Sequence, residues 1–229
     1  MITVVSSKIE TKILLSETSP TYLIVENPRE YFSVVENVIN AFQSEESCFS
    51  FWDNEKQVLP SQVGEVLVNF FDFEFSDKKI INLLYKRLTQ NYFESKLILD
   101  FNLLNSKLES FLLDLGQTVD FLLDYKELSL EDLLKASSVK PAVNYQNLLE
   151  KIICYINLFV SLKNVKFFVF IGLKQVLSDD DLVQLYKHCE FNQVSLLSIE
   201  SAKRRDRLPN ERIILITDDL CEIVENIKE

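Results

Sequence analysis

Glycine is nearly missing from this sequence: only Gly64, Gly116 and Gly172 occur in 229 residues. Neither a glycine-rich phosphate loop nor a dinucleotide-binding turn can be assembled from three scattered glycines, because both need several within one strand–helix junction. Histidine is scarcer still. His188 stands alone beside Cys189, with no partner apparent, and reads as a structural or surface residue. The four cysteines, Cys48, Cys154, Cys189 and Cys221, form no C-x-x-C pair, and a chain of this size needs no disulfide staples. Cys154 lies in the apolar run KIICYINLF and reads as a small core residue. Long apolar runs are absent too: the longest, 167–173, is far too short to span a bilayer. The opening MITVVSSKIETKILLSE has no signal-peptide pattern. A soluble, cytoplasmic protein with reduced thiols is expected.

Positive charge is the other shortage. Lys and Arg number 24 against 35 Asp and Glu, for a net charge of −11 and a pI near 4.7. Such a balance argues against nucleic acid, since phosphate attraction dominates that kind of binding. Net charge is an average, however, and a concentrated basic surface can coexist with an acidic exterior.

What is present suits a packed globular protein: 47% hydrophobic residues and a mean hydropathy of +0.05. The length allows one large domain or a domain with a substantial extension. Two short strands forming a ribbon are expected over 1–20, a buried strand over 21–26 and a helix over 29–44. Further strands are expected at 48–53, 65–73, 166–172, 193–200 and 212–219, with a helix over 177–191 capped by Ser178. Buried β-rich runs alternating with amphipathic helices predict an α/β fold with a mainly parallel sheet. From Asp77 to Leu162 strand signals vanish. Leu97, Phe101, Leu104, Leu108, Phe111, Leu115, Val119 and Leu122 form a helical seam, and a helix over 96–124 would be about 40 Å long. Leu149, Ile152, Ile156 and Phe159 mark a second helix, able to pack back along the first, with Pro141 breaking the chain between them. The expected organisation is a head from 1–76 and 163–229, with 77–162 inserted as a helical leg.

The junction YLIVENPREYF at 22–32 is where glycines would wrap a phosphate, yet its turn is Glu26-Asn27-Pro28-Arg29. IILITDD resembles a strand ending in metal-holding acids, Asp218 and Asp219, but without a phosphate loop those acids are expected to serve structure. No carboxylate spacing isolates an acid from a base, and no enzyme is expected. Asp120, Asp124, Glu127, Glu131 and Asp132 crowd into thirteen residues. Such a run is either a plain solvated face or a site for a hard cation, calcium better than zinc. SAKRRDR at 201–207 is the one dense cationic run: Lys203, Arg204, Arg205 and Arg207 form either a phosphate-binding loop or a soluble connector. Lys135 and Lys140, flanking KASSVKP, are a sparser candidate.

Taken in order, YLIVENPREYF, KKIINLLYKRL, LSLEDLLKASSVKP, LLEKIICYINLF, FFVFIGLKQVLSDDDLVQLYKH, SLLSIE and ERIILITDDLCEIV resemble the DNA-end-binding ring proteins of type II-A CRISPR systems, which assist spacer acquisition. The resemblance runs from about residue 20 to 225. It implies a head resembling a degenerate P-loop NTPase with a helical leg, assembled as a homotetrameric ring. The ring would bind ends of double-stranded DNA through a basic channel, without sequence preference and without nuclease or ATPase activity. It further implies calcium at Asp120, Asp124, Glu127 and Asp132, and basic positions at Lys135 and Lys140. The implied partners are the spacer integrase and the RNA-guided nuclease, with no nucleotide and no membrane. The rival expectations are an acidic protein–protein adaptor that does not grip DNA, and a metal-dependent phosphohydrolase using Asp218 and Asp219.

Overall fold

The structure, a computed structural model, describes residues 1–203 and 207–225. The strands and helices follow one another as β1 (Ile2–Ser6), β2 (Ile9–Leu15), β3 (Thr21–Val25), α1 (Pro28–Gln43), β4 (Phe49–Asp53), β5 (Lys56–Val58), α2 (Pro60–Val63) and β6 (Gly64–Leu67). Three helices come next: α3 (Lys78–Phe93), α4 (Leu97–Gly116) and α5 (Leu130–Ala136). The chain then forms α6 (Leu148–Lys163), β7 (Phe167–Ile171), α7 (Leu173–Val176), α8 (Asp179–Phe191), β8 (Ser195–Glu200), β9 (Arg212–Ile216) and β10 (Glu222–Glu225). Two compact units result, one from Met1–Phe73 with Asn144–Glu229, the other from Glu74–Val143. Among the described residues no helix is long and apolar enough to cross a membrane.

The first unit is α/β. Its main sheet has the order β10-β9-β3-β8-β7-β6, parallel except for β10, which runs antiparallel on the β9 edge. Strands β3, β7 and β8 are buried at every residue, as parallel strands covered on both faces must be. A second, antiparallel sheet has the order β2-β1-β4-β5. Alternation in β2 turns Ile9, Ile13 and Leu15 inward, so this sheet buries one face only.

That face packs with α1 onto the main sheet. Leu23, Val25, Ile214 and Ile216 meet Val34, Val38 and Ala41 of the helix and Ile2, Val4, Ile13 and Phe51 of the second sheet. The rings of Phe51 and Phe167 stack with centroids 5.5 Å apart. Each such fully buried side chain contributes about 1.5–3 kcal/mol. Gly64 is required beneath Phe167, because a Cβ there would lie 2.4 Å from the ring's Cζ. On the opposite face Tyr22, Ile24, Ile213 and Leu215 pack with Tyr186 of α8. Edge strand β2 does not stay open, since the Glu222 carboxylate accepts the backbone N–H groups of Glu10 and Thr11 at 2.8 and 2.9 Å.

Helix α6 belongs to this unit, so the boundaries expected at 76 and 163 fall instead at 73 and 144. It buries Ile152, Tyr155, Ile156 and Phe159 and sets Tyr155 against Phe168 of β7, 6.1 Å between centroids. Its last turn is fastened by Lys163, whose Nζ lies 2.5 Å from the Glu65 carboxylate and 3.1 Å from the Gly64 carbonyl oxygen. The strand expected over 65–73 stops at Leu67, because Phe70 and Phe73 leave the strand to pack on Phe170 and Tyr155.

The second unit is helical. Helix α4 spans 20 residues, about 30 Å, not the 40 Å of the expected 96–124 helix. Tight bonds from Gln117 N–H to Asp114 and from Thr118 N–H to Leu115 close its last turn. The chain then folds back so that Leu123 packs over Gly116, and no residue of 117–129 is helical. The apolar spacing that continues to Leu122 therefore belongs to a returning segment, and Leu122 is 99% exposed. None of the residues of α4 is buried. Helix α5 is joined to α3 by the Tyr85 hydroxyl donating to the Leu134 carbonyl at 3.0 Å.

Candidate functional site

Strand β3 lies between β8 and β9, and the turn that follows it stands at the carboxyl ends of the parallel strands, where open α/β sheets hold ligands. The turn is closed by its own side chains. Asn27 caps α1, its Oδ1 accepting the N–H groups of Arg29 and Glu30 at 3.1 and 3.2 Å. Pro28 follows at the first helical position and brings no N–H. The Asn27 amide nitrogen donates to the Asp218 carbonyl at 3.1 Å, tying the turn to the end of β9. The donors that would face a phosphate are thus satisfied by the protein itself. Asn27 fills the turn together with Pro28. Its position one residue before a helix-opening proline was the signal available in the sequence.

Asp218 and Asp219 are exposed in the turn after β9. The Thr217 hydroxyl donates to the Asp219 carboxylate, and that bond holds its carboxyl below the ordinary range. Leu220 takes a left-handed conformation, φ 65°. The pair therefore shapes a tight turn. Among the described residues no three His, Cys, Asp or Glu side chains converge to hold a metal ion.

A polar network links β3, β8, α7 and α8, and the sequence did not announce it, because its members are distant in the chain and fall in separate strands, helices and turns. Lys174 Nζ lies 2.7 Å from Glu211 Oε2 and 4.1 Å from the centroid of the Tyr22 ring. The Tyr186 hydroxyl donates to Glu211 Oε1 at 2.6 Å and meets the Tyr22 hydroxyl at 2.5 Å. Glu200 accepts the Lys174 backbone N–H at 2.9 Å and the Ser198 hydroxyl at 2.7 Å. Glu211 also accepts the Leu208 N–H at 2.9 Å, which fixes the chain just before β9. Burial, then the Glu211 charge, holds the Tyr22 hydroxyl well above its ordinary range, and burial raises Tyr186 likewise. With its charges paired and bonded, the network is built to hold position.

The acidic candidates lie in the helical unit, and the structure does not gather them. Asp120 and Asp124 sit in the non-helical segment after α4, so they are not stacked one helical turn apart. Glu127 accepts the Asn105 amide at 3.3 Å. Asp132 closes a capping box at the start of α5 with Ser129, and the Ser129 hydroxyl holds its carboxyl below the usual range. One described chain therefore offers these four no common ion position.

Of the basic candidates, Lys135 pairs with Glu131 at 2.6 Å on α5, both about 60% exposed. That carboxylate, by hydrogen bond and charge, raises the Lys135 ammonium above its ordinary range. Lys140 is exposed. Lys203 pairs with Glu225 at 2.5 Å, and Arg207 is half-buried. Arg204 and Arg205 lie outside the described residues. His188, for which the sequence offered no partner, binds Asn157 Oδ1 of α6 through Nε2 at 2.8 Å, and burial lowers its pKa. It joins two helices.

A family model described as CRISPR-associated protein (Cas_Csn2) matches residues 41–220. No curated protein matches the chain. Among solved structures, the dimeric post-hydrolysis state of the ATP-binding cassette MJ0796 bound to ADP and Pi is similar over 100% of both chains, with 11% identity and a TM-score of 0.46. A likeness that low carries no argument.

Proposed function

The chain belongs to the Cas_Csn2 family of CRISPR-associated proteins, and from that premise we propose a non-catalytic protein that grips the ends of double-stranded DNA without reading sequence, in the service of spacer acquisition. Family membership is the observation that carries this reading. Two features of the chain support it. The turn after β3 is filled by Asn27 and Pro28, which suits a protein with no use for a nucleotide. Helix α4 buries no residue in the single chain, and Leu99, Leu103 and Phe111 are 57–75% exposed. An apolar helix so exposed suits burial against further copies, as a homotetrameric ring would provide.

In such a ring the cations of four copies converge on one channel while the acidic exterior discourages DNA elsewhere. Lys135, Lys140, Lys203 and Arg207 are the candidates for it among the described residues, with Arg204 and Arg205 beside Lys203 in sequence. Calcium enters as an ion whose ligands one chain does not supply ready-made. Copies would have to share it, or the 117–129 segment would have to rearrange. The spacer integrase and the RNA-guided nuclease are the partners in this reading.

The test compares a linear duplex with a covalently closed circle of the same sequence. A threading ring binds the linear form and not the circle, and equal affinity for both refutes it. One observation favours an acidic adaptor instead: Lys135 and Lys203 already face carboxylates. A mobility-shift titration with and without chelator separates the two, since an adaptor shifts no duplex under either condition.

A further inference from the structure

Lys151 is buried to 9% exposure within α6, yet no carboxylate pairs with it among the described residues. A desolvated ammonium must be satisfied by other means. Its Nζ lies 4.1 Å from the centroid of the Phe73 ring and 5.7 Å from that of Tyr145, and it donates to the Phe71 carbonyl oxygen at 3.3 Å. Ring faces attract a cation at these distances, most strongly where water is excluded.

The location of those three contacts gives them meaning. The chain leaves the α/β unit after Phe73 and returns to it at Asn144. Phe71 and Phe73 are the last residues of the exit, and Tyr145 is among the first of the entry. One side chain therefore touches both connections. Each connection is also fastened on its own side. The Phe73 ring lies 5.0 Å from Tyr155 of α6, which in turn meets Phe168 of β7. At the entry, the Gln146 N–H donates to Glu150 at 2.6 Å and Asn147 caps α6.

We infer that Lys151 is a latch coupling the exit and entry connections of the helical insertion, so that neither loosens from the α/β unit without the other. An ordinary packing residue would stabilise its own neighbourhood. A latch makes two segments about seventy residues apart in sequence open together.

Hydrogen exchange by mass spectrometry on the full chain tests this. In Lys151→Met, which keeps the stem and removes the charge, segments 68–73 and 144–147 are expected to exchange about five-fold faster or more together, with β7 unchanged. The ring variants are the sharper probe, and they decide the matter if Lys151→Met does not fold. Phe73→Leu should free 144–147, and Tyr145→Leu should free 68–73, each loosening the segment to which it does not belong. If each ring variant loosens only its own segment, the connections are held separately and the latch is wrong. Equal acceleration in β7 would mean global destabilisation and would overturn it as well.

Discussion

The Tyr22–Tyr186–Glu211–Lys174 cluster sets how the fold responds to alkali. Tyr22 and Tyr186 stay protonated in the folded chain beyond their ordinary range, and burial pushes the Cys189 thiol up to about 12. The folded state then holds protons that the unfolded chain releases, so their contribution is fully present below the unfolded values and is lost as pH rises past about 9–10. Urea midpoints should be flat through neutrality and fall above that range, and Tyr186→Phe should fall less steeply. The same variant takes a donor from buried Glu211 and should cost about 1–3 kcal/mol at pH 7. Gly64→Ala tests close approach instead. Its methyl would press into Phe167, which stacks on Phe51, and a cost of about 1–3 kcal/mol should appear as a lower thermal midpoint. None of these residues announced itself in the sequence. A lysine, a glutamate and two tyrosines spread over 190 positions become one cluster only through strand order.

Elements were the most legible level, where periodicity and burial agree. Strand β7 is an uninterrupted apolar run and β3 is one after Thr21, and α8 opens with a Ser178 capping box, N-cap and acid together. Legibility failed where apolar residues serve loops. Phe70 and Phe73 look like strand and are packing anchors, while Val119 and Leu122 continue the spacing of α4 after its helix has ended. It failed also for β5 and β10, short and partly polar edge strands that lack a buried pattern to read. The junction between β3 and α1 offers the test at this scale. Asn27→Ala removes the cap and should cost about 1 kcal/mol in denaturant unfolding. Magnesium–ATP should protect neither form against unfolding, because Pro28 still withholds an N–H; added protection would contradict a closed turn.

For the whole molecule, the α/β class was legible because alternating buried runs and helices admit few arrangements, whereas the candidate site was not. Carboxylates that crowd in sequence between 120 and 132 do not gather around one position among the described residues, and two of the cations singled out for phosphate, Lys135 and Lys203, are paired with acids. On the proposed ring, the site forms only among several copies and so leaves no spacing in one chain. The expected signature is therefore collective. Duplex binding that engages six or more phosphates should weaken by roughly 10³-fold or more between 50 and 200 mM salt. It should also appear only in the assembled species, so sedimentation across a calcium titration should track it. Duplex held by a monomer would break the link between assembly and grip.

The carboxylate of Glu222 closing the β2 edge has a temporal side. The N–H groups of Glu10 and Thr11 wait for an acceptor that comes 212 and 211 residues later. At cellular rates of translation that interval is on the order of ten to forty seconds. Throughout it the nascent chain carries an uncapped ribbon, and a chaperone, or a neighbour on the same polysome, has that long to find it.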